Sequence, residues 1–225
     1  MLINTEWGAF GDNGELDFIR TKWDKQVDEM SVNPGKQIFE KMISGMYMGE
    51  IVRRILIKLA EHGTLFNGVV TKALRTPGNF DTAFVSQIEK NAPNGFNHIQ
   101  SILHSLDIGA MHSDCEVVQY VCKVVSTRAA YLCAAGIAAV SRKIKSNYPE
   151  KESMEITVGV DGSVYKKHPT FAKNVAEKVT QLNSDHDVQV KFALSHDGSG
   201  KGAALIAAVA QKLLQITESD QIMDR

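Results

Sequence analysis

The clearest alternation of apolar and polar positions lies in residues 188–212. Val188–Leu194 alternates and is rich in β-branched residues, which predicts a strand. A polar turn with three glycines follows at residues 195–202, and an alanine- and leucine-rich run at 203–214 predicts a buried helix. A strand that turns on glycine into a helix directs several backbone N–H groups at one place. Such a turn suits an anion or the polar end of a nucleotide, and an ordinary strand-to-helix turn is the equal alternative.

A second strand pattern lies at residues 156–165, where two apolar runs flank Asp161 and Gly162. This spacing predicts a β-hairpin, and a helix at 169–182 follows it. A hairpin, a helix, a strand and a helix in succession predict an α/β sheet backed by helices. The turn at 195–202 is not a Walker A loop, because position 195 is not glycine and Lys201 precedes Gly202 instead of Ser or Thr.

The first two thirds of the chain are mostly helical in pattern. Residues 36–62 predict one long helix, with apolar residues every four positions and Gly63 as its stop. Residues 113–146 predict the longest helix, opened by a capping box of Ser113 and Glu116. Its small residues indicate central burial, with a ligand channel as the alternative. Further predicted elements are a strand at 2–7, a turn at 8–14 and helices at 17–30, 82–90 and 99–106.

Composition narrows the class of protein. The 225 residues are 44% hydrophobic and carry a net charge of −1, which suits a domain with an ample core and gives no sign of a nucleic-acid partner. Cys115, Cys122 and Cys133 lie in one helical stretch without CxxC spacing, so we expect reduced thiols in a cytoplasmic protein rather than a metal site. No run reaches the roughly 18 continuous apolar residues of a membrane span. Because the chain opens inside a predicted strand, we expect it to be a segment of a longer protein.

Two glycine turns are candidates for anion binding. Asp161-Gly162-Ser163 and Asp197-Gly198-Ser199 each follow a predicted strand, and neighbouring strands of an α/β sheet end side by side. The turns are therefore expected to face one ligand. Ser163 and Ser199 suit phosphate or ribose, and helix capping is the equal alternative. Lys201 suits a phosphate, although a solvated lysine at a helix start is commoner.

Two carboxylates are candidates for binding a polyol. Glu6 lies in the first predicted strand beside Trp7, and Glu40 lies near the start of the long helix, close to Gln37. Two carboxylates and an amide at a cleft accept and donate hydrogen bonds to several hydroxyls. A structural hydrogen bond for Glu6 and a helix-dipole role for Glu40 are the alternatives.

Four stretches resemble eukaryotic hexokinases in sequence, order and spacing. They are NTEWGAFGD (residues 4–12), NPGKQIFEKMISGMY (33–47), VGVDGSVY (158–165) and SGKGAA (199–204). The resemblance covers essentially the whole chain. It implies an α/β fold of the actin-like (ribonuclease H-like) sugar-kinase type, helix-rich, with residues 1–225 forming part of the large domain.

The resemblance also implies a role for particular positions. Glu6, Gln37 and Glu40 match the family's glucose-binding positions, and the implied partners are glucose or a related hexose and ATP. Mg²⁺ is expected to bridge the phosphates without being ligated by this chain. Matching the family's ATP contacts are Gly45, Met46, Thr82, Ala83, Phe84, Val85, Ser86, Gly162, Ser163, Val164, Tyr165, Lys166, Lys167 and Ser199. His196 departs from the acidic residue expected beside the nucleotide loop.

Other family motifs do not occur in this sequence. The resemblance places the catalytic aspartate, the Asp-Leu-Gly-Gly-Thr phosphate loop and the Gly-Thr-Gly element upstream of Glu6. The implied reaction is ATP-dependent phosphorylation of the hexose 6-hydroxyl in the parent enzyme, and we expect no turnover from the isolated chain, because phosphoryl transfer needs a base and a closed site. The alternatives are a naturally truncated, non-catalytic sugar- and nucleotide-binding or regulatory module, and a structural protein of the actin-like fold.

Overall fold

The architecture comes from a computed structural model that describes residues 3–90, 95–195 and 198–223, with backbone only for Ser199 and residues 213–223. A short 3₁₀ helix at Trp7–Ala9 comes first. The helices are α1 Lys22–Glu29, α2 Ile38–Ile43, α3 Gly45–Glu61, α4 Lys72–Arg75, α5 Thr82–Ile88, α6 Asn97–His104, α7 His112–Ser146, α8 Ser163–Lys167, α9 Phe171–Asn183 and α10 Gly198–Met223; a further 3₁₀ turn lies at Phe66–Gly68. The strands are β1 Met154–Val160 and β2 Val188–Leu194.

The two strands pair in parallel, from Met154 opposite Val188 to Val160 opposite Leu194. The predicted strand at Val188–Leu194 is therefore confirmed. The hairpin predicted at 156–165 is wrong, because the chain leaves β1 through Gly162 and enters α8. Parallel strands need a long crossover rather than a two-residue turn, and α8 with α9 supplies it.

The single helix predicted at 36–62 is also wrong, because two helices, α2 and α3, meet at Ser44. Ser44 has an extended backbone (φ −79°, ψ 148°), and its hydroxyl accepts a hydrogen bond from the Met46 N–H at 3.1 Å. The serine thus caps α3 at a point where apolar periodicity runs on unbroken. The stop at Gly63 is confirmed by its left-handed backbone, with φ +76°.

The strand predicted at residues 2–7 is wrong over the described residues. Residues 3–6 have no regular structure, Glu6 is left-handed with φ 45°, and the 3₁₀ helix starts at Trp7. The reason is tertiary packing of the indole. It meets Phe39 edge-on with ring centroids 5.6 Å apart, and its Cζ3 lies 2.6 Å from the place of a Cβ on Gly136.

Helix α7 runs through the centre of the core, as its small residues predicted. Ala129, Ala130, Ala134 and Ala138 are buried, and the helix packs on α3, α5 and α9. The predicted Ser113–Glu116 capping box is wrong: the Asp114 carboxylate instead accepts hydrogen bonds from the Met111 N–H (2.8 Å) and the Phe66 N–H (3.0 Å). Cys115, Cys122 and Cys133 all lie on this helix as free thiols.

By length and composition α7 meets the requirement for a membrane span, although its longest continuous apolar run is shorter than about 18 residues. One window of 18 residues has a mean hydropathy of 1.4, and 39% of it is buried inside the protein. Arg128 on this helix forms an ion pair with the buried Asp24 of α1 at 2.8 Å. In this structure α7 serves as the core helix around which the other elements pack.

Candidate functional site

The ends of β1 and β2 lie side by side and bring the two glycine turns together. The Ser195 N–H donates to the Val160 carbonyl at 2.9 Å, and the Gly198 N–H donates to Asp161 Oδ2 at 3.4 Å. The prediction that both turns share one edge of the sheet is therefore confirmed. His196 and Asp197 lie outside the described residues, as does the side chain of Ser199.

The Asp161 carboxylate accepts hydrogen bonds from Lys166 and Gly198 at this edge of the sheet. The Lys166 ammonium donates to Asp161 Oδ1 at 2.5 Å, and this bond together with the Gly198 N–H lowers the pKa of the Asp161 carboxyl below its usual value. Lys166, predicted to contact ATP, is thus engaged in fixing the start of α8.

An open cleft of about 630 Å³ lies beside β1, and we call it the β1 cleft. It brings together residues from four distant parts of the chain. Its lining comprises Trp7, Gly8, Glu40, Ile43, Ser44, Gly45, Met46, Cys133, Ile137, Val158, Gly159, Val160, Asp161, Gly162, Ser163, Val164, Tyr165, Phe171 and Val175. The candidate sugar residue Glu40 and six candidate nucleotide residues therefore share one concave surface; the six are Gly45, Met46, Gly162, Ser163, Val164 and Tyr165.

Asp12 fixes the position of the helix that carries Glu40. Its carboxylate accepts hydrogen bonds from the Gln37 N–H (3.2 Å) and the Ile38 N–H (3.0 Å), which satisfies N–H groups at the start of α2. Gln37 itself is left-handed, with φ 55°. A Cβ on Gly8 would lie 2.4 Å from Gln37 Oε1 and 3.4 Å from Glu40 Cβ, so Gln37 and Glu40 both border Gly8.

Glu6 occupies a different position from Glu40. It is exposed, it precedes the 3₁₀ helix, and its Oε1 accepts a hydrogen bond from Asn4 Nδ2 at 2.5 Å. It is separated from the cleft-lining Gly8 by Trp7 alone, yet it is not among the lining residues over the described part of the chain. Its role in sugar binding stays a prediction.

A second pocket, of about 340 Å³, lies between α5 and α8, and we call it the α5–α8 pocket. Three separate segments that the sequence assigned to ATP meet in it. Its lining comprises Gly45, Asp81, Thr82, Ala83, Ser86, Gln87, Lys90, Ser163, Val164 and Lys167. Gly45, Ser163 and Val164 line the β1 cleft as well, so the two spaces adjoin.

Two glycines of α3 allow α5 and α8 to approach it. A Cβ on Gly45 would lie 2.5 Å from Val164 Cγ2 of α8. A Cβ on Gly49 would lie 2.2 Å from the Phe80 carbonyl oxygen, and the Gly49 N–H donates to Thr82 Oγ1 at 2.8 Å. The hydroxyl of Thr82, a candidate ATP contact, therefore also anchors α5 on α3.

Other candidates face the protein interior. Val85 is fully buried, and Phe84 packs against the core with its ring 5.8 Å from that of Phe80. Because residues on one helix face recur every three or four positions, part of any continuous helical motif must face the core. The nucleotide role of residues 84 and 85 stays a prediction.

Several lining residues are not indicated by the sequence motifs. Gln87 and Lys90 line the α5–α8 pocket, and Lys90 lies four positions after Ser86, which is the signal that could have found it. Cys133 and Ile137 of α7 line the β1 cleft. Burial raises the pKa of the Cys133 thiol to about 12, so the thiol is protonated at neutral pH.

No cluster of three or more His, Cys, Asp or Glu side chains suited to a metal ion occurs in the described ranges. The expectation that Mg²⁺ is held by phosphates rather than by this chain stays a prediction.

Comparison with known proteins gives consistent matches over nearly the whole chain. The profile of the family described as Hexokinase matches residues 1–209. Rat hexokinase-2 is 52% identical over 213 residues, which cover 95% of this chain and 23% of that protein. Human hexokinase-1 is 48% identical over 215 residues, which cover 96% and 23%. A solved hexokinase from Schistosoma mansoni complexed with glucose superposes with a TM-score of 0.80 at 43% identity, covering 92% of this chain and 45% of that one.

Its structural neighbours are hexokinases, which place the fold of this chain in the actin-like sugar-kinase class. The chain is helix-rich, with 61% of its residues in helices and a small sheet. The chain belongs to the hexokinase family. It spans about a quarter of the length of the curated relatives it matches, 23% of each of those named above.

Proposed function

We propose that this chain forms part of the large domain of an enzyme that transfers the γ-phosphoryl group of ATP to the 6-hydroxyl of glucose or a related hexose. It would supply part of the sugar site and most of the ATP site. Hexokinase relatives and the glucose-complexed structural neighbour support this assignment.

One observation carries the proposal: the β1 cleft and the α5–α8 pocket adjoin through Gly45, Ser163 and Val164. Phosphoryl transfer requires the acceptor hydroxyl and the phosphate to meet in line, so sugar and nucleotide sites must share a border. The candidate sugar residue Glu40 lines only the first space, whereas Thr82 and Lys167 line only the second.

In the sugar site, Glu40 would accept hydrogen bonds from hexose hydroxyls, and Gln37 would accept and donate. Glu6, which directly precedes Trp7, would also bind the sugar hydroxyls. Pairing several hydroxyls with charged acceptors gives both affinity and orientation.

In the nucleotide site, Ser86 and Ser163 would donate hydrogen bonds, and the Lys90 and Lys167 ammonium groups would offset phosphate charge. The donor set suits an anionic ligand, because hydroxyls and two lysines converge on one pocket. Mg²⁺-ATP, when bound there, would supply the transferable phosphoryl group, and the lysines would hold its phosphates. Ser199, at the start of α10, would provide a further ATP contact.

The general base for the 6-hydroxyl is not among the residues that we assign. The isolated chain is therefore proposed to bind without turnover, since loss of a general base alone commonly costs about 10²–10⁴-fold in rate. We also propose a cytoplasmic location, supported by the three free thiols.

Calorimetry with glucose and with Mg²⁺-ATP, paired with a coupled assay for glucose 6-phosphate, tests the proposal. Binding of both ligands with no glucose-dependent turnover is the expected result. Absence of glucose binding would favour a structural protein of this fold, and measurable turnover would show that the chain holds its own base.

A further inference from the structure

A buried hydrogen-bonded pair joins the end of α5 to the end of α8. His168 Nε2 lies 3.2 Å from Glu89 Oε1, and their side chains are 0% and 4% exposed. A carboxylate buried this deeply would be costly without partners, so the contacts around it define its state.

The neighbouring hydrogen bonds fix which ring nitrogen carries the proton. The Thr170 N–H donates to His168 Nδ1 at 3.3 Å, so Nδ1 is an acceptor and Nε2 bears the hydrogen that points at Glu89. The Thr170 hydroxyl donates to Glu89 Oε2 at 3.5 Å. Each carboxylate oxygen of Glu89 therefore receives a donor from the segment that follows α8.

The buried pair lies at the ends of the two helices that form the walls of the α5–α8 pocket. Glu89 directly follows α5, and His168 directly follows α8, the two helices that line the α5–α8 pocket. At their other ends both helices contact α3, through Gly49 with Thr82 and through Gly45 with Val164. The two walls of the pocket are thus tied at both ends, once by α3 and once by the buried pair.

We infer that Glu89 and His168 are positioning residues that set the separation of α5 and α8 and thereby the affinity of the pocket between them for a nucleotide phosphate. The inference rests on the proposed function for the ligand, but the wall spacing itself does not depend on it. Hydrogen bonds are directional, whereas apolar contacts allow sliding. A buried polar pair adds little net stability over an apolar pair of similar volume, so its contribution here is geometric.

The test uses the full chain, with Mg²⁺-ATP and glucose as separate probes in calorimetry. Glu89→Ala should raise the Kd for Mg²⁺-ATP about tenfold, the effect of populating the competent spacing about one tenth of the time. The Kd for glucose should stay within about twofold, because Glu40 lies on α2 and Gln37 is the N-cap residue of that helix, away from α5 and α8. Glu89→Gln keeps an acceptor for His168 and should restore most of the affinity. Glu177→Ala, at an exposed carboxylate of α9, is the matched control.

The double variant Glu89→Leu/His168→Leu distinguishes a positioning role of the pair from a role in stability alone. Replacing both partners with apolar groups should recover thermal stability. The double variant can therefore replace Glu89→Ala in the binding test if the alanine variant does not fold. Weak Mg²⁺-ATP binding in this stable variant supports positioning, and wild-type affinity in it overturns the inference.

Hydrogen exchange separates failure of this inference from failure of the proposed function. If the wild-type chain binds no Mg²⁺-ATP, the proposed function fails. Faster amide exchange in both α5 and α8 of the stable variant Glu89→Leu/His168→Leu, with α1 unchanged, would still support the wall spacing, and unchanged exchange there would overturn it.

Discussion

The Lys41 ammonium donates a hydrogen bond to Asp28 Oδ1 at 2.7 Å, and this contact fastens α2 to α1. The Arg20 guanidinium reaches the other oxygen of the same carboxylate at 3.1 Å, and the Gly35 N–H donates to Oδ1 at 3.0 Å. Lys41 follows Glu40 directly, so the buried cluster also holds the helix that carries the candidate sugar carboxylate.

This cluster predicts acid sensitivity. Burial alone would raise the pKa of Asp28, but hydrogen bonds from Lys41 and Gly35 and the charges of Lys41 and Arg20 lower it below its usual value. A lowered pKa in the folded state stabilises the fold above the unfolded pKa of about 3.9, and that contribution is lost as pH falls through the folded pKa. Urea unfolding should show the free energy of unfolding decreasing below about pH 4, with a shallower decrease in Asp28→Asn.

At pH 7 the Asp28→Asn substitution should cost about 1–3 kcal/mol, because Lys41 and Arg20 lose a charged acceptor. Asp185→Asn, at an exposed carboxylate, should change the free energy of unfolding by less than about 0.5 kcal/mol. Equal pH profiles for wild type and Asp28→Asn would contradict the assigned cause.

Glu40→Ala should weaken glucose binding by about 1–3 kcal/mol, the cost of leaving sugar hydroxyls unpaired. Calorimetry measures the change, and Glu29→Ala, at an exposed position ending α1, is the control. Unchanged glucose affinity in Glu40→Ala would contradict the assignment of the sugar site to the β1 cleft.

Gly49→Ala should destabilise the chain by about 1–3 kcal/mol and weaken Mg²⁺-ATP binding. A Cβ there would lie 2.2 Å from the Phe80 carbonyl oxygen, a backbone atom that cannot move without shifting the start of α5. Gly202→Ala in α10 is the control, because a Cβ at that position meets open space among the described residues. Thermal unfolding that ranks the two substitutions equally would contradict the close approach of α3 and α5.

The isolated chain should associate as its concentration rises. Leu205, Ile206 and Val209 of α10 are exposed at 67%, 72% and 51%, and in the described part of the chain each strand has a single strand neighbour. Open strand edges and exposed apolar faces favour contact with other chains. Sedimentation should show a mass that grows with concentration, and Leu205→Gln/Ile206→Gln should reduce the growth more than Lys212→Gln does.

Sequence patterns located the elements that depend on local chemistry. The strand at Val188–Leu194 and the helix end at Gly63 follow from alternation and from a glycine that accepts a left-handed backbone. The adjacency of the turns at Gly162 and Gly198 also followed, because parallel strands end together. These features are set by residues near to one another in the chain or by the geometry of a sheet.

The misplaced elements depend on distant partners. Asp161 and Gly162 are typical of a hairpin, yet pairing of β1 with β2 in parallel leaves α8 in that place. Ser44 interrupts a helix whose apolar period continues, and Trp7 leaves the predicted strand to pack against Gly136 and Phe39. Likewise, the burial of Glu89 beside His168 joins residues 79 positions apart, which no local pattern indicates.

The contact of Trp7 with Gly136 links the proposed sugar site to the interior of the protein. The indole lines the β1 cleft on one side and occupies the space of a side chain at residue 136 on the other. Any larger residue at that point of α7 must push the ring towards the β1 cleft or displace it altogether. If the proposed sugar site is right, a genetic selection for altered hexose preference should recover changes at this glycine, where the central helix sets the width of the β1 cleft.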